Sequence, residues 1–200
     1  PNKDTLTVVT WNIRFGIGRA EWFGDSCGEL VLFDTDEIQD GLELLAAKIT
    51  AMGADILLLQ EVDTDSKRSA YVDQVQWLLD NTEFNYGVYA SMWEVQFVPS
   101  DGLGRVNTGN AILSHWPLSE AERIQLSLRG DQDALTRAFY VRRNVLRAKV
   151  NYPGSPFWAV DIHASAFSND DTKQKQYLEF KAVLDELNAQ GENFVAGGDL

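Results

Sequence analysis

Three polar side chains stand where a strand-like run gives way to a loop. Asn12 follows Thr7-Val8-Val9-Thr10-Trp11, Glu61 follows Leu57-Leu58-Leu59-Gln60, and Asp199 follows Phe194-Val195-Ala196-Gly197-Gly198. Buried strands that end side by side gather such residues into one cleft, and carboxylates with an amide oxygen are the hard donors that Mg²⁺ prefers. Taken singly, each is as well explained as a cap or turn residue, a common position for Asp, Asn and Glu. The chemistry therefore depends on the elements that bring them together.

Strand-like and helix-like patterns alternate without an internal repeat, which predicts one α/β or α+β domain over residues 1–200. The first strand is placed at Leu6 to Trp11. Ile38, Leu42, Leu45, Ile49 and Met52 form the stripe of an amphipathic helix, with Asp34, Thr35 and Asp36 as N-cap candidates and Gly53 as its stop. A buried strand follows at Ala54 to Gln60, then a helix near Ala70 to Leu79, and Gly87 to Asn107 reads as a strand followed by a long loop. Further strands are expected at Asn110–Ser114, Glu122–Leu126, Arg143–Asn151, Phe157–Ile162 and Asn193–Ala196, with a helix over Thr172–Asn188. The loops Gly18–Phe33 and Ser91–Asn107 carry Trp22, Phe23, Phe33, Trp93 and Phe97. These aromatics suit either substrate contact or packing over the edge of the fold.

Composition narrows the classes. With 44% apolar and 24% charged residues, 200 residues bury one sizeable core. Lys plus Arg is 17 against 30 Asp plus Glu, a net charge of −13, which opposes a general polyanion-binding surface. Acidic residues around the first loop, Glu21, Asp25, Glu29, Asp34 and Asp36, oppose docking on anionic membranes. No apolar run approaches the roughly 18–20 residues of a transmembrane helix. The lone Cys27 rules out an intramolecular disulfide framework. The start at Pro1-Asn2-Lys3-Asp4 suggests a trimmed mature chain, so a secreted or periplasmic location is admitted and the compartment stays open. A monomer is expected.

Thr10-Trp11-Asn12-Ile13-Arg14, Leu59-Gln60-Glu61-Val62, Gly109-Asn110-Ala111-Ile112-Leu113-Ser114 and Gly197-Gly198-Asp199-Leu200 occur in an order and spacing that resemble the endonuclease/exonuclease/phosphatase superfamily, the DNase I-like phosphoesterases. The resemblance covers essentially the whole chain. It implies an α+β fold, a four-layer α/β/β/α sandwich of two mainly antiparallel sheets flanked by helices and incomplete at the C-terminus. It also implies a hydrolase dependent on Mg²⁺ or Mn²⁺, with Asn12 and Glu61 as metal ligands and Asp199 orienting the attacking water. His163, in Val160-Asp161-Ile162-His163-Ala164-Ser165, resembles the family histidine that binds the scissile phosphate and offsets its developing charge. Asp161, Ile162 and Ala164 depart there from the family's Asn, Thr and Leu.

On the same resemblance Arg143 and Asn110 are candidate substrate-binding residues, and Arg14 with Arg143 can reverse the sign of the cleft locally. Lys173 and Gln176 fit the family's Arg-x-x-Gln, and His115 reads as a turn residue before Pro117. The family's closing Asp-His pair is absent from the 200 residues, which are therefore expected to be the N-terminal portion of a longer protein. The implied reaction is in-line attack of water on a phosphodiester or phosphomonoester, as in a nuclease, a lipid phosphodiesterase or a phosphatase. Nucleic acid is possible but not favoured by charge. The competing reading is a non-catalytic binding or scaffold member of the fold, against which the retention of Asn12, Glu61, His163 and Asp199 argues.

Overall fold

The computed structural model describes residues 3–24, 28–133, 136, 140–166 and 168–200; Asp25 and Cys27 lie outside them. Among the described residues eight strands and three α-helices follow in order: β1 (Val8–Asn12), α1 (Thr35–Met52), β2 (Ile56–Asp63), α2 (Gln74–Asn81), β3 (Tyr86–Val98), β4 (Gly104–Ser114), β5 (Leu118–Gln125), β6 (Asn144–Val150), β7 (Phe157–His163), α3 (Thr172–Ala189) and β8 (Phe194–Asp199). They build two four-stranded sheets, in the orders β1-β2-β4-β3 and β5-β6-β7-β8. Each sheet is mixed, with one parallel pairing, β1 with β2 or β7 with β8, and two antiparallel ones.

Period-two alternation explains the layering. In β2, Ile56 and Leu58 face the second sheet, where they meet Leu146, Ala148, Val150 and Ala159. Leu57 and Leu59 face the other way, onto Ile38, Leu42, Leu45 and Ile49 of α1 and Leu78 of α2. On the far side Val145, Trp158, Val160 and Ile162 pack under Val183 and Leu187 of α3. The result is the four-layer α/β/β/α sandwich implied by the resemblance. β1 lies over β8 at one edge, and β3 over β5 at the other. No described helix is long and apolar enough to cross a membrane.

Several boundaries differ from the sequence reading. Residues 91–107 do not form a long loop: β3 continues to Val98 and pairs with β4 in a hairpin whose turn is Pro99–Leu103. Register shifts between Ser91 and Trp93 and between Val95 and Val98 break the alternation that would have announced a strand. α2 begins at Gln74 rather than near Ala70, because Ala70 and Tyr71 adopt left-handed backbone (φ 51 and 61) and Asp73 caps the helix by accepting from the Gln76 N–H. Of the three N-cap candidates for α1, Asp34 is the cap, in a reciprocal capping box with Glu37.

Gly41 lets α1 settle against the turn that follows β1. A Cβ there would stand 1.8 Å from the Gly16 carbonyl oxygen. Gly41→Ala is therefore expected to destabilise the fold by about 1–3 kcal/mol through overpacking, seen as a lower denaturation midpoint. An unchanged midpoint would show that this contact is easily relieved.

Candidate functional site

The loop ends of β1, β2, β7 and β8 meet at one mouth of the sandwich. Asn12 is the last residue of β1, and its Oδ1 accepts from the Arg14 N–H at 3.0 Å, which fixes the amide. Its Nδ2 donates to Glu61 Oε1 at 3.0 Å and to Asp199 Oδ2 at 2.8 Å. Glu61 is presented by a β-bulge: Leu59 pairs with Ala111 but Val62 pairs with Gly109, and Glu61 itself has φ 57. A non-glycine residue in the left-handed region stores backbone strain, here at the residue that enters the cleft. Asp199 ends β8, in register with His163 of β7. The approach of these strands requires Gly198, where a Cβ would lie 2.0 Å from the Ile162 carbonyl oxygen.

His163 is buried, with Nε2 3.9 Å from Glu61 Oε1 and 3.7 Å from Asp199 Oδ2, too far for hydrogen bonds to either. Its Nδ1 has no hydrogen-bond partner among the described residues. Burial, and secondarily the Arg143 charge, lowers its pKa from 6.5 to about 2. The imidazole is therefore neutral at physiological pH, and it can offer a phosphate an N–H but not a positive charge. Because the folded state refuses a proton that the unfolded chain accepts below about pH 6.5, this contribution to stability is complete above that pH. It is lost progressively as the pH falls toward 2. Denaturant midpoints at descending pH should fall more steeply for the wild-type chain than for His163→Gln; parallel curves would contradict a neutral His163.

Beneath the mouth lies a buried polar layer. Gln60, on the same face as Ile56 and Leu58, donates to Asp161 Oδ1 at 2.6 Å and to Thr10 Oγ1 at 3.2 Å. Burial pushes the Asp161 carboxyl well above the usual range, opposed by the Gln60 hydrogen bond, and its Oδ2 has no hydrogen-bond partner among the described residues. Asn110 donates to the Asn144 carbonyl and side-chain oxygens, while Asn144 donates to the Ser91 carbonyl. Arg143 donates to Met92 Sδ at 3.4 Å. Desolvation lowers its pKa, and the charges of Glu61 and Asp199 partly restore it. Arg14 directs its guanidinium to the carbonyls of Gly18 and Ala20 at 2.6 and 3.2 Å, so it organises the loop after β1.

The remaining sequence candidates lie elsewhere. His115 stacks near Phe84 at the opposite end of β2. Gln176 is buried and pins the segment after β7, accepting from the Ser165 N–H and donating to the Ser127 carbonyl. Lys173 lies over the ring of Tyr177 on its own helix. Trp22 and Phe33 pack around Phe15, which is packing rather than display, whereas Phe97 is 69% exposed. Gln60 and Asn144 were not singled out by sequence. Gln60 was detectable in principle, because period two places it between the sheets, where an amide needs a partner.

Among the described residues no three His, Cys, Asp or Glu side chains form a ready-made metal cluster. At the centre stands the Asn12 Nδ2, wedged between two carboxylates. Carboxylate and amide oxygens are the donors that a hard divalent cation takes, so this chemistry fits such an ion, and Glu61 and Asn12 are the residues that would hold it.

A family model described as "Endonuclease/Exonuclease/phosphatase family" matches residues 9–200. No curated protein sequence matches the chain. Among solved structures, an endonuclease/exonuclease/phosphatase from Beutenbergia cavernae is similar at TM-score 0.62 and 20% identity, over 90% of this chain and 43% of that one. The human Nocturnin catalytic domain with bound sulfate has TM-score 0.62 and 20% identity, over 97% of this chain and 63% of that one. TDP2 from Caenorhabditis elegans has TM-score 0.61 and 16% identity, over 97% and 46%. This chain spans about half the length of these structures, and at such identities the likeness establishes the fold.

Proposed function

The chain belongs to the endonuclease/exonuclease/phosphatase family, and we propose that it hydrolyses a phosphodiester or phosphomonoester with the help of Mg²⁺ or Mn²⁺. The observation that carries this reading is the meeting of Asn12, Glu61, His163 and Asp199, from four strands of two sheets, around two neighbouring carboxylates, each bonded to the Asn12 amide nitrogen and each within 3.9 Å of His163 Nε2. Family membership supports phosphoesterase chemistry. The metal and the individual roles are our assignment.

A divalent cation held by Glu61 and Asn12 would supply Lewis-acid polarisation of a phosphoryl oxygen. Asp199, a carboxylate on the solvent side of the cleft, accepts a hydrogen bond from the attacking water and aligns it with phosphorus. His163, neutral and buried, donates from Nε2 to a non-bridging oxygen and strengthens that bond as charge accumulates there. Such a preorganised donor costs no reorganisation at the moment of reaction. The buried layer of Gln60, Asp161, Asn110 and Asn144 keeps the strand ends in place. Arg143 brings a positive charge close to the carboxylates, which moderates their repulsion of an anionic substrate.

The test is hydrolysis of bis(p-nitrophenyl) phosphate by the intact protein, with Mg²⁺ or Mn²⁺ and after chelation. Activity that chelation removes and either cation restores is expected. Absence of turnover with both cations would favour the scaffold reading instead. Within the active protein, His163→Ala should lower kcat by about 10²–10³-fold with little change in the Mg²⁺ concentration for half-activation. A large shift in that concentration would make His163 a ligand.

A further inference from the structure

Four arginines of this acidic chain are matched to carboxylates among the described residues: Arg68 to Asp63, Arg105 to Asp65, Arg129 to Asp131, and Arg147 to Glu122 and Glu186. Three neighbouring arginines, Arg123, Arg142 and Arg143, have no ion pair among the described residues. Arg123 is held by backbone instead, donating from Nε to the Ser91 carbonyl at 2.8 Å and from Nη2 to the Arg142 carbonyl at 3.1 Å. That uses two of its five N–H groups and fixes the plane of the guanidinium without neutralising it. Arg142 is exposed beside it, and the two like charges, with burial the larger cause, lower the pKa of Arg123.

These two arginines line a groove of about 510 Å³ between the β3–β4 hairpin and the approach to β6, together with Trp93, Glu94, Gln125 and Tyr140. Glu94 is its one carboxylate among the described residues. The groove is tied to the reacting centre by register. Gln125 pairs with Asn144, Asn144 with His163, and His163 with Asp199, so the four residues form one row across the second sheet. Gln125 is two strands from His163, about 10 Å at the usual strand spacing. Arg143 lies between the groove and the cleft.

We propose that this groove is a subsite for a second phosphate of the substrate, so that the chain acts on phosphoesters carrying at least two phosphates rather than on esters with a neutral or cationic head group. The inference rests on the assignment of the reacting centre given above. An oriented guanidinium without a counter-ion binds phosphate through charge-assisted hydrogen bonds, and Arg142 adds charge at the rim. Trp93 and Tyr140 offer ring surface to whatever joins the two phosphates. A polyphosphorylated substrate also answers the net charge of −13, because the attraction is confined to one basic strip beside the cleft.

The experiment is calorimetric titration of the intact protein, with Mg²⁺ present, using adenosine 3′,5′-bisphosphate, fructose 1,6-bisphosphate and adenosine 5′-monophosphate. At least one bisphosphate should bind about tenfold or more tightly than the monophosphate. A preference for the adenosine compound points to nucleotides and equal affinity to phosphorylated small molecules generally; either supports the subsite. The advantage should disappear in Arg123→Gln/Arg142→Gln. It should shrink in Arg142→Gln, whose exposed side chain can change without loss of fold, and it should grow in Glu94→Gln, a gain that misfolding cannot produce. A bisphosphate that binds no better than the monophosphate, or an advantage that survives the double substitution, overturns the proposal. Because the readout is binding, an inactive protein would refute the hydrolytic reading and leave this result to be judged by itself.

Discussion

Glu61→Ala is expected to reduce phosphoester hydrolysis by about 10³-fold or more at saturating Mg²⁺, with the folded protein essentially intact. The two halves of this expectation have different causes. Glu61 is the carboxylate that a bulge and a strained backbone (φ 57) aim into the cleft, and in the function we propose it holds the cation together with Asn12. Its side chain is 26% exposed, and the Asn12 Nδ2 keeps a second acceptor in Asp199 at 2.8 Å, so truncation leaves no buried group unsatisfied. Glu61→Gln separates charge from shape: it retains an oxygen for Asn12 yet removes the negative charge and should be nearly as inactive. Turnover of a phosphodiester against Mg²⁺ concentration, beside a thermal melt of each variant, makes the measurement. Normal turnover in Glu61→Ala would refute the assignment.

The second large effect is on stability. Arg68→Ala is expected to destabilise the protein by about 3–5 kcal/mol, a substantial part of the total for a domain of this size. Asp63, the last residue of β2, is fully buried and accepts from Arg68 Nε and Nη2, each at 2.9 Å, and from Ser69 Oγ at 2.9 Å. Without Arg68 that carboxylate remains buried and uncompensated. The guanidinium also lies 3.7 Å from the ring centroid of Phe15, and the Gln74 side chain joins the Asp63 N–H to the Phe15 carbonyl. The network thus clamps the chain two residues beyond Glu61 to the turn three residues beyond Asn12. Asp63→Asn combined with Arg68→Met should recover part of the loss, because the uncompensated charge is gone. Denaturant unfolding of the single and double variants tests this, and independent, additive losses would contradict the coupling.

The local patterns of the sequence were enough for the layers. The spacing of Ile38, Leu42, Leu45 and Ile49, and the alternation through Ile56–Leu59, place α1 and β2 without reference to distant residues, because helix and strand periods are local properties. The ordered motifs around Asn12, Glu61, His163 and Asp199 carried the family. The second half of β3 was hidden, since its bulges destroy period two and Pro99, Gly102 and Gly104 read as loop punctuation. The Asp63–Arg68 clamp was also hidden, because a charged residue at a strand end is ordinarily solvated.

The character of the site was decided by tertiary structure alone. Gln60 and Asp161 are 101 residues apart, and Asn110 and Asn144 are 34 apart; only the packing of one sheet on the other makes them partners. The same packing excludes water from His163 and so holds its imidazole neutral, and it brings Arg123 and Arg142 together beside the cleft. Desolvation and the separation of charges are properties of the assembled sandwich, whereas a sequence specifies only which groups are available to be buried.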